Sequence, residues 1–305
     1  MSAGCSAPGD ARMAPVTIRI STGSPTGNFR PFAEALVKGY TAMMPDLRVE
    51  AVDTPGSVRN LEELQEGTVD MGLAQAGLAY MAYNGRLREP GRPFRNIRGI
   101  AVLNSSPIQL LVGPRSKTRT VEELKGRRVG VGGRDGSGPA VTSELVLRGY
   151  FAPDEVEEVN GTVAQSTAML LENTLDATFT ISSVPNDEVR RQTEAGARLL
   201  HLRGPSVDRL RTTYPFFRSD IIPAGAYPGQ HEPVQTLAVD VVLLARTGLD
   251  PAIVRRLTDG LFRMLPQLSS DLPFVKGMEP ERAPATPVPL HPGAALYYRE
   301  RELTR

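Results

Sequence analysis

Two stretches of this 305-residue chain set glycines and hydroxyls where a strand should run into a helix. The first is "RISTGSPTGNFRPFAEALVKGY" over residues 19–40, and the second is "GRRVGVGGRDGSGPAVTSELVLRGY" over 126–150. Such a turn offers unpaired backbone N–H groups at the positive end of a helix dipole, which suits an anion. Thr22, Thr26 and Ser137 add hydroxyl donors without the bulk of a cation, and Arg134 could add a bidentate contact to a carboxylate. Gln75 and Asn28 are short and neutral, fitted to a ligand amine, hydroxyl or amide, and Phe29 would lie along a carbon chain. A second reading stays open: glycines serve turns that need φ > 0, and Arg134 serves as a solvated turn residue.

Machinery for bond-making is missing from the pattern. "RDGSGP" lacks the G-x-S-x-G spacing of a nucleophile elbow. Neither turn supplies the Lys followed by Ser or Thr of a P-loop, and "GVGGRDG" is a distorted dinucleotide fingerprint. His201, His231 and His291 lie far apart without metal-ligand spacing, so no metal and no cofactor is expected. The acid pairs at 62–63 and 122–123 read as solvated helix faces. Donors without a nucleophile or base favour binding over catalysis. An α/β enzyme, a transferase or lyase on a two-lobed scaffold, is the alternative.

The elements that must position these turns follow from periodicity. Val16, Ile18 and Ile20 alternate as a strand, and Phe32, Leu36, Tyr40 and Met43 fall on one helix face. "LRVEAV" (47–52) is a second strand, Ser57 can cap the helix bearing Val58, Leu61 and Leu64, and Met71–Ala74 is a buried strand turning into a helix. This is a parallel α/β pattern. A long extended segment, "GIAVLNSSPIQLLVGP", leads to a second unit with strands in 126–150, 173–196 and 197–202. The two units echo each other, and "GTVDMGLAQAG" against "NTLDATFTISS" aligns Asp70 with Asp176. "TTYPFFRSDIIPAGAYPGQHEP" reads as a connector, and "TLAVDVVLLA" as a strand returning antiparallel to "IQLLVGP". Asp250 then caps a helix with Pro251 in its first turn, and a Pro-rich tail ends in a last helix. Two lobes crossed twice by the chain form a cleft and a hinge. The expected division is a tail over 1–15, lobe I over 16–104 and 238–305, and lobe II over 105–237.

Composition agrees with a globular chain: 40% hydrophobic, 23% charged, formal net charge +1, 26 prolines, 29 glycines and no Trp. So balanced a charge gives no reason to expect nucleic acid or an anionic membrane surface as partner, and a monomer is expected. The single cysteine, Cys5, stands in "SAGC" before a polar stretch, a pattern similar to the end of a bacterial lipoprotein signal. That pattern leaves two readings of Cys5 open, a lipidation site or an ordinary thiol on an N-terminal tail, and the apolar segment of such a signal does not stand before it here.

Taken together, "TGSPTGNFRPFAEAL", "TPGSVRNLEELQEGTVDMGLAQAGLAY", "IIPAGAYPGQHEPVQTLAV" and "DLPFVKG" through "VPLHPGAALYYRE" resemble the TAXI family of extracytoplasmic solute-binding proteins, which serve TRAP-type transporters. The resemblance runs in the family's order over residues 16–300. It implies a type II periplasmic binding protein fold, two α/β lobes joined by a two-segment hinge. It also implies a periplasmic location, capture of a glutamate-like amino acid or other small carboxylate, and delivery to membrane permease subunits. Carried over position by position, the ligand site comprises Thr22, Gly23, Thr26, Gly27, Asn28 and Phe29 in the first turn, Gly56, Ser57 and Asn60 in the next, and Gln75 at a strand end. The second lobe contributes Gly136, Ser137 and Gly138, with Ser182, Ser183 and Pro185, while the candidate Arg134 stands where the family usually has small or turn residues. The chain departs from the family at Asn28–Phe29, where tyrosine is usual, and at Pro139, where threonine is usual.

Overall fold

The computed structural model describes residues 15–23, 29–87, 91–134, 136–272 and 275–303. Cys5, Thr26, Gly27 and Asn28 lie outside the described residues. Alternating burial of Ile18 and Ile20 makes β1 (Val16–Ser21) a strand with one face in the core, and α1 (Phe29–Met43) buries Phe32, Leu36 and Tyr40 against it. Next come β2 (Leu47–Val52), α2 (Ser57–Glu66), β3 (Met71–Gln75) and α3 (Ala76–Tyr83). The long strand β4 (Ile97–Val112) leads into β5 (Arg128–Gly130), α4 (Gly138–Tyr150), β6 (Glu157–Val159), α5 (Val163–Leu171), β7 (Ala177–Ile181) and α6 (Asp187–Glu194). After β8 (Arg198–Leu200), α7 (Pro205–Thr213) and β9 (Arg218–Ile222), the chain returns through β10 (Val234–Arg246) to α8 (Pro251–Asp271) and α9 (Pro292–Leu303).

The strands run β2-β1-β3-β10-β4-β7-β5-β6, with β8 on β4 and β9 on β10. Within each half three strands are parallel, and β10 and β4 add antiparallel to β3 and β7. The order is therefore the same when read inward from either end. The aligned aspartates confirm the repetition atom by atom. Asp70 accepts from Arg19 N–H at 2.9 Å and Asp176 from Arg128 N–H at 3.0 Å, each carboxylate tying the loop before the third strand of its unit to the first.

β4 and β10 carry both cores. On β10, Leu237 and Val239 pack with Val129, Val146 and Phe179, whereas Val241, Leu243 and Ala245 pack with Phe32, Leu36 and Leu257. Each such side chain contributes about 1.5–3 kcal/mol by leaving water, so neither lobe is complete without the other's strand.

Three sequence expectations need correction. β10 pairs with Ile97–Pro107 rather than with "IQLLVGP", because Ile108–Val112 is taken by β7 and β8. The connector contains β9, whose residues bond along the start of β10. Ser57 does not cap α2: Gly56, at φ 134, is the cap residue, and the Ser57 hydroxyl is engaged elsewhere. Asp250 caps α8 as expected, accepting from Ala252 and Ile253.

The proline-rich segment before α9 covers the free edge of β4, with Gly99 N–H bonded to Pro289 O at 2.9 Å and Val102 N–H to Ala283 O at 2.8 Å. It ends at His291, which is fully buried and accepts from Gly293 N–H through Nδ1. Burial lowers the His291 pKa, and the charges of Arg98 and Arg246 push it the same way. The folded state therefore favours neutral imidazole, and stability present above an unfolded pKa of about 6.5 is lost as pH falls below it. Melting temperature should drop between pH 6.5 and 5, and His291→Gln, which keeps an acceptor, should flatten that slope; an equal slope in both proteins would place the titration elsewhere.

Candidate functional site

The site grows from the carboxyl ends of β1, β2 and β3. Asn60, fully buried on α2, donates to Thr22 O and Leu73 O and accepts from Thr54 Oγ1. One amide thus joins the ends of β1 and β3 and the loop after β2. Thr22 is also fully buried, and its Oγ1 donates to Val52 O at 3.2 Å. Gly23 follows it and touches Phe29, the first residue of α1. Gly56 N–H is held by Thr54 Oγ1, and Ser57 Oγ accepts from Gln75 N–H at 3.2 Å. The starts of α2 and α3 are thereby bound to each other, and Asn60 ties them to the end of β1.

The second lobe meets them with the start of α4. Ser137 caps this helix, its Oγ accepting from Ala140 N–H at 3.4 Å, after Gly136 at φ 70. A methyl group at Gly138 would stand 2.7 Å from Ser57 Oγ and 3.1 Å from Gln75 Cδ, so only glycine fits this approach. One turn later Thr142 Oγ1 donates to Gln75 Oε1, and Val141 packs on the core of α2 and α3. Phe216, from the segment before β9, covers Gly77 of α3, where a methyl group would stand 2.5 Å from its ring. Its ring centroid is 5.9 Å from that of Tyr80.

What marks this cluster is that helix starts without acidic residues meet one another. The first turns of α1, α2, α3 and α4 contain no acidic residue, and neither α2 nor α3 has a side-chain cap. Of the other helices, α6 begins with Asp187 and Glu188, α7 carries Asp208 in its first turn and α8 is capped by Asp250, whereas α5 and α9 also lack an acid in the first turn. Several partial positive charges therefore converge where the lobes touch, with donors left over.

Ser182, Ser183 and Pro185 belong to a separate network. Gln109 Nε2 donates to Ser182 O and Oγ at 3.3 Å, and Tyr227 OH donates to Gln109 Oε1 at 2.5 Å. Burial pushes the Tyr227 phenol up to about 12, which keeps it a neutral donor. Ser182 Oγ donates to Ser183 O at 3.4 Å, and Pro185 follows a cis peptide bond. Arg134 is exposed.

The structure thus brings Thr22, Gly23, Phe29, Gly56, Ser57, Asn60, Gln75 and Gly138 into one cluster, with Gly136 and Ser137 forming the turn that delivers α4. Thr142, Phe216, Tyr80, Gln109 and Tyr227 escaped the sequence reading. Thr142 carried a signal, a β-branched hydroxyl one turn past a glycine-rich helix start. A surface groove of about 470 Å³ beside α7 and β9, lined by Arg203, Val207, Asp208 and Ile221, lies apart from this cluster. Among the described residues no group of three or more His, Cys, Asp or Glu side chains could hold a metal ion, and no helix is long and apolar enough to cross a membrane.

A family model described as NMT1-like matches residues 20–301. The chain belongs to the NMT1-like family. Solved structures agree at the level of fold. XAC2383 from Xanthomonas citri, bound to ATP, superposes with a TM-score of 0.56 at 14% identity, covering 95% of this chain and 99% of that one. The putative sulfonate ABC transporter periplasmic sulfonate-binding protein SsuA from Methylobacillus flagellatus gives 0.51 at 14% identity, covering 85% and 71%. An ancestral arginine-binding protein bound to arginine gives 0.50 at 16%, covering 86% and 98%. The fold is that of a type II periplasmic binding protein, two α/β lobes joined by two crossing strands.

The contact at Gly138 is expected to control how the lobes meet. Gly138→Ala should cost about 1–3 kcal/mol by overpacking, and adding Ser57→Ala, which removes the obstructing hydroxyl, should restore most of it. Equal melting of the single and double variants would mean that Ser57 and Gly138 do not face each other.

Proposed function

We propose that this chain is an extracytoplasmic solute receptor, not an enzyme, that captures a small organic anion between its lobes and delivers it to a membrane transporter. The observation that carries the reading is the meeting of the α2 and α3 starts with that of α4, without an acidic side chain in any first turn. An anion placed there gains from the dipoles and the remaining N–H donors at once, and no water-filled turn needs to reorganise around it. A carboxylate, as in glutamate-like amino acids, is the favoured group. Lobe I would comprise 16–104 and 238–305, lobe II 105–237, and β4 and β10 would flex between them. The ordered set of TAXI-like motifs supports a TRAP-type permease as partner. The family and the fold neighbours, which include proteins solved with ATP and described as binding sulfonate, support the receptor role.

Thermal melts with millimolar L-glutamate, succinate, methanesulfonate, ATP and, as cation control, putrescine test the reading. A true ligand at 100-fold excess over Kd should add about 2.7 kcal/mol and emerge chemically unchanged. Stabilisation by putrescine alone, or by none of the anions, would remove anion capture.

The same reading places the protein at the periplasm or the outer face of the envelope, lipid-anchored through Cys5. Metabolic labelling with a palmitate analogue should mark the wild type and spare Cys5→Ser; equal labelling of both would exclude an anchor there.

A further inference from the structure

Gln75 is the N-cap of α3, yet its side chain makes no bond to that helix's own first-turn N–H groups. A capping side chain ordinarily accepts from the second or third residue of its helix. Here the amide is turned across the interlobe contact instead. Its Oε1 accepts from Thr142 Oγ1 on α4, and its Cγ and Cδ lie against Gly138 in the first turn of that helix. The residue is 4% exposed, and among the described residues its Nε2 has no hydrogen-bond partner. A neutral acceptor thus occupies the place where the starts of α2, α3 and α4 converge, and Thr142, itself 1% exposed, directs its hydroxyl at it.

A carboxamide oxygen and a carboxylate oxygen are alike in size and in the directions from which they accept; they differ in charge. Building on the anion-capture reading, we propose that Gln75 is a displaceable plug: its amide oxygen holds the position, and the Thr142 hydrogen bond, that an oxygen of the anionic ligand takes. The ligand then enters by exchange with Gln75 rather than beside it. This makes Gln75 a selectivity residue. Charge-assisted hydrogen bonds are about twice as strong as neutral ones, so a carboxylate or sulfonate displaces the amide. A neutral solute offering only hydroxyls or amides exchanges one neutral acceptor for another and gains nothing.

Three variants separate the outcomes. Gln75→Glu puts a carboxylate in the plug's place, and at pH 7 it should melt above the wild type. Helix starts hold that carboxyl's folded pKa below its unfolded value, so the gain should be full above about pH 4.3 and fade as pH falls below it. Gln75→Met, similar in length but without an acceptor, and Thr142→Val, which removes the donor, should show no such gain. Whichever of L-glutamate, succinate, methanesulfonate and ATP shifts the wild type most should bind Gln75→Met about three- to tenfold more tightly, the worth of one neutral competing hydrogen bond. It should fail to shift Gln75→Glu. Weaker binding to Gln75→Met than to wild type would make Gln75 an ordinary ligand contact and overturn the exchange, while leaving anion capture intact. A Gln75→Glu protein that melts below the wild type at pH 7 would show that the place refuses negative charge and would overturn the plug whatever the compounds do. A pH-dependent gain in Gln75→Glu, with no compound shifting the wild type, would uphold the place as a carboxylate acceptor and remove the capture reading instead.

Discussion

Everything else in the molecule hangs on the antiparallel pairing of β4 with β10. From Ile97 to Pro107 on one strand and Ala238 to Arg246 on the other, these two carry the backbone ladder that continues one half of the sheet into the other. Their side chains pass from one core to the next along their length, so a shift in their register would unpack both. The register also sets where β3 and β7 end, since each is hydrogen-bonded to one of the pair. The start of α3 follows directly from the end of β3, and that of α4 from β5, which is hydrogen-bonded to β7. A contact as close as Gly138 on Ser57 is therefore specified far from itself, in the middle of the sheet.

The halves repeat a β-α-β-α-β unit, and the paired roles of Asp70 and Asp176 show how closely. Function separates them. In the first unit Gly56 and Gln75 leave their helices without side-chain caps, and Asn60 gathers the strand ends. In the second, Ser137 caps α4 and Thr162 caps α5 with a reciprocal bond from Gln165. One unit keeps free donors, and the other is locally satisfied and presents a small, glycine-surfaced helix start. The same scaffold thus yields a donor-rich floor and a close-fitting cover.

Most of the fold was legible because strands and helices here obey their periods. Ile18 and Ile20 alternate, Phe32, Leu36 and Tyr40 repeat as a helix, and Asp250–Pro251 announces α8. Register was not legible: "IQLLVGP" and the preceding "GIAVLNSS" are equally apolar, and only the competition of β7 and β8 for Ile108–Val112 decides which faces β10. β9 was missed because Tyr, Phe and Pro around it mimic a connector. At the site, the sequence located the turns but not the partners across the gap. Ser57 in a capping pattern bonds to another element because Gly56 takes the cap. Thr142, Phe216 and Tyr227 act through contacts distant in sequence, which no local pattern encodes.

The β4–β10 pair also joins residues roughly 130 to 150 positions apart in the chain, with a direct bearing on the order of assembly. Everything between them closes with shorter loops, so that lobe needs only the first residues of β10 to complete its core. The lobe holding α1, α2 and α3 lacks its central strand until β10 is synthesised, and long-range strand pairing is slow to close. A chain built this way spends its synthesis with its amino-terminal third unable to complete a core. Its amino-terminal core therefore closes only after β10, in the last quarter of the chain, has been made.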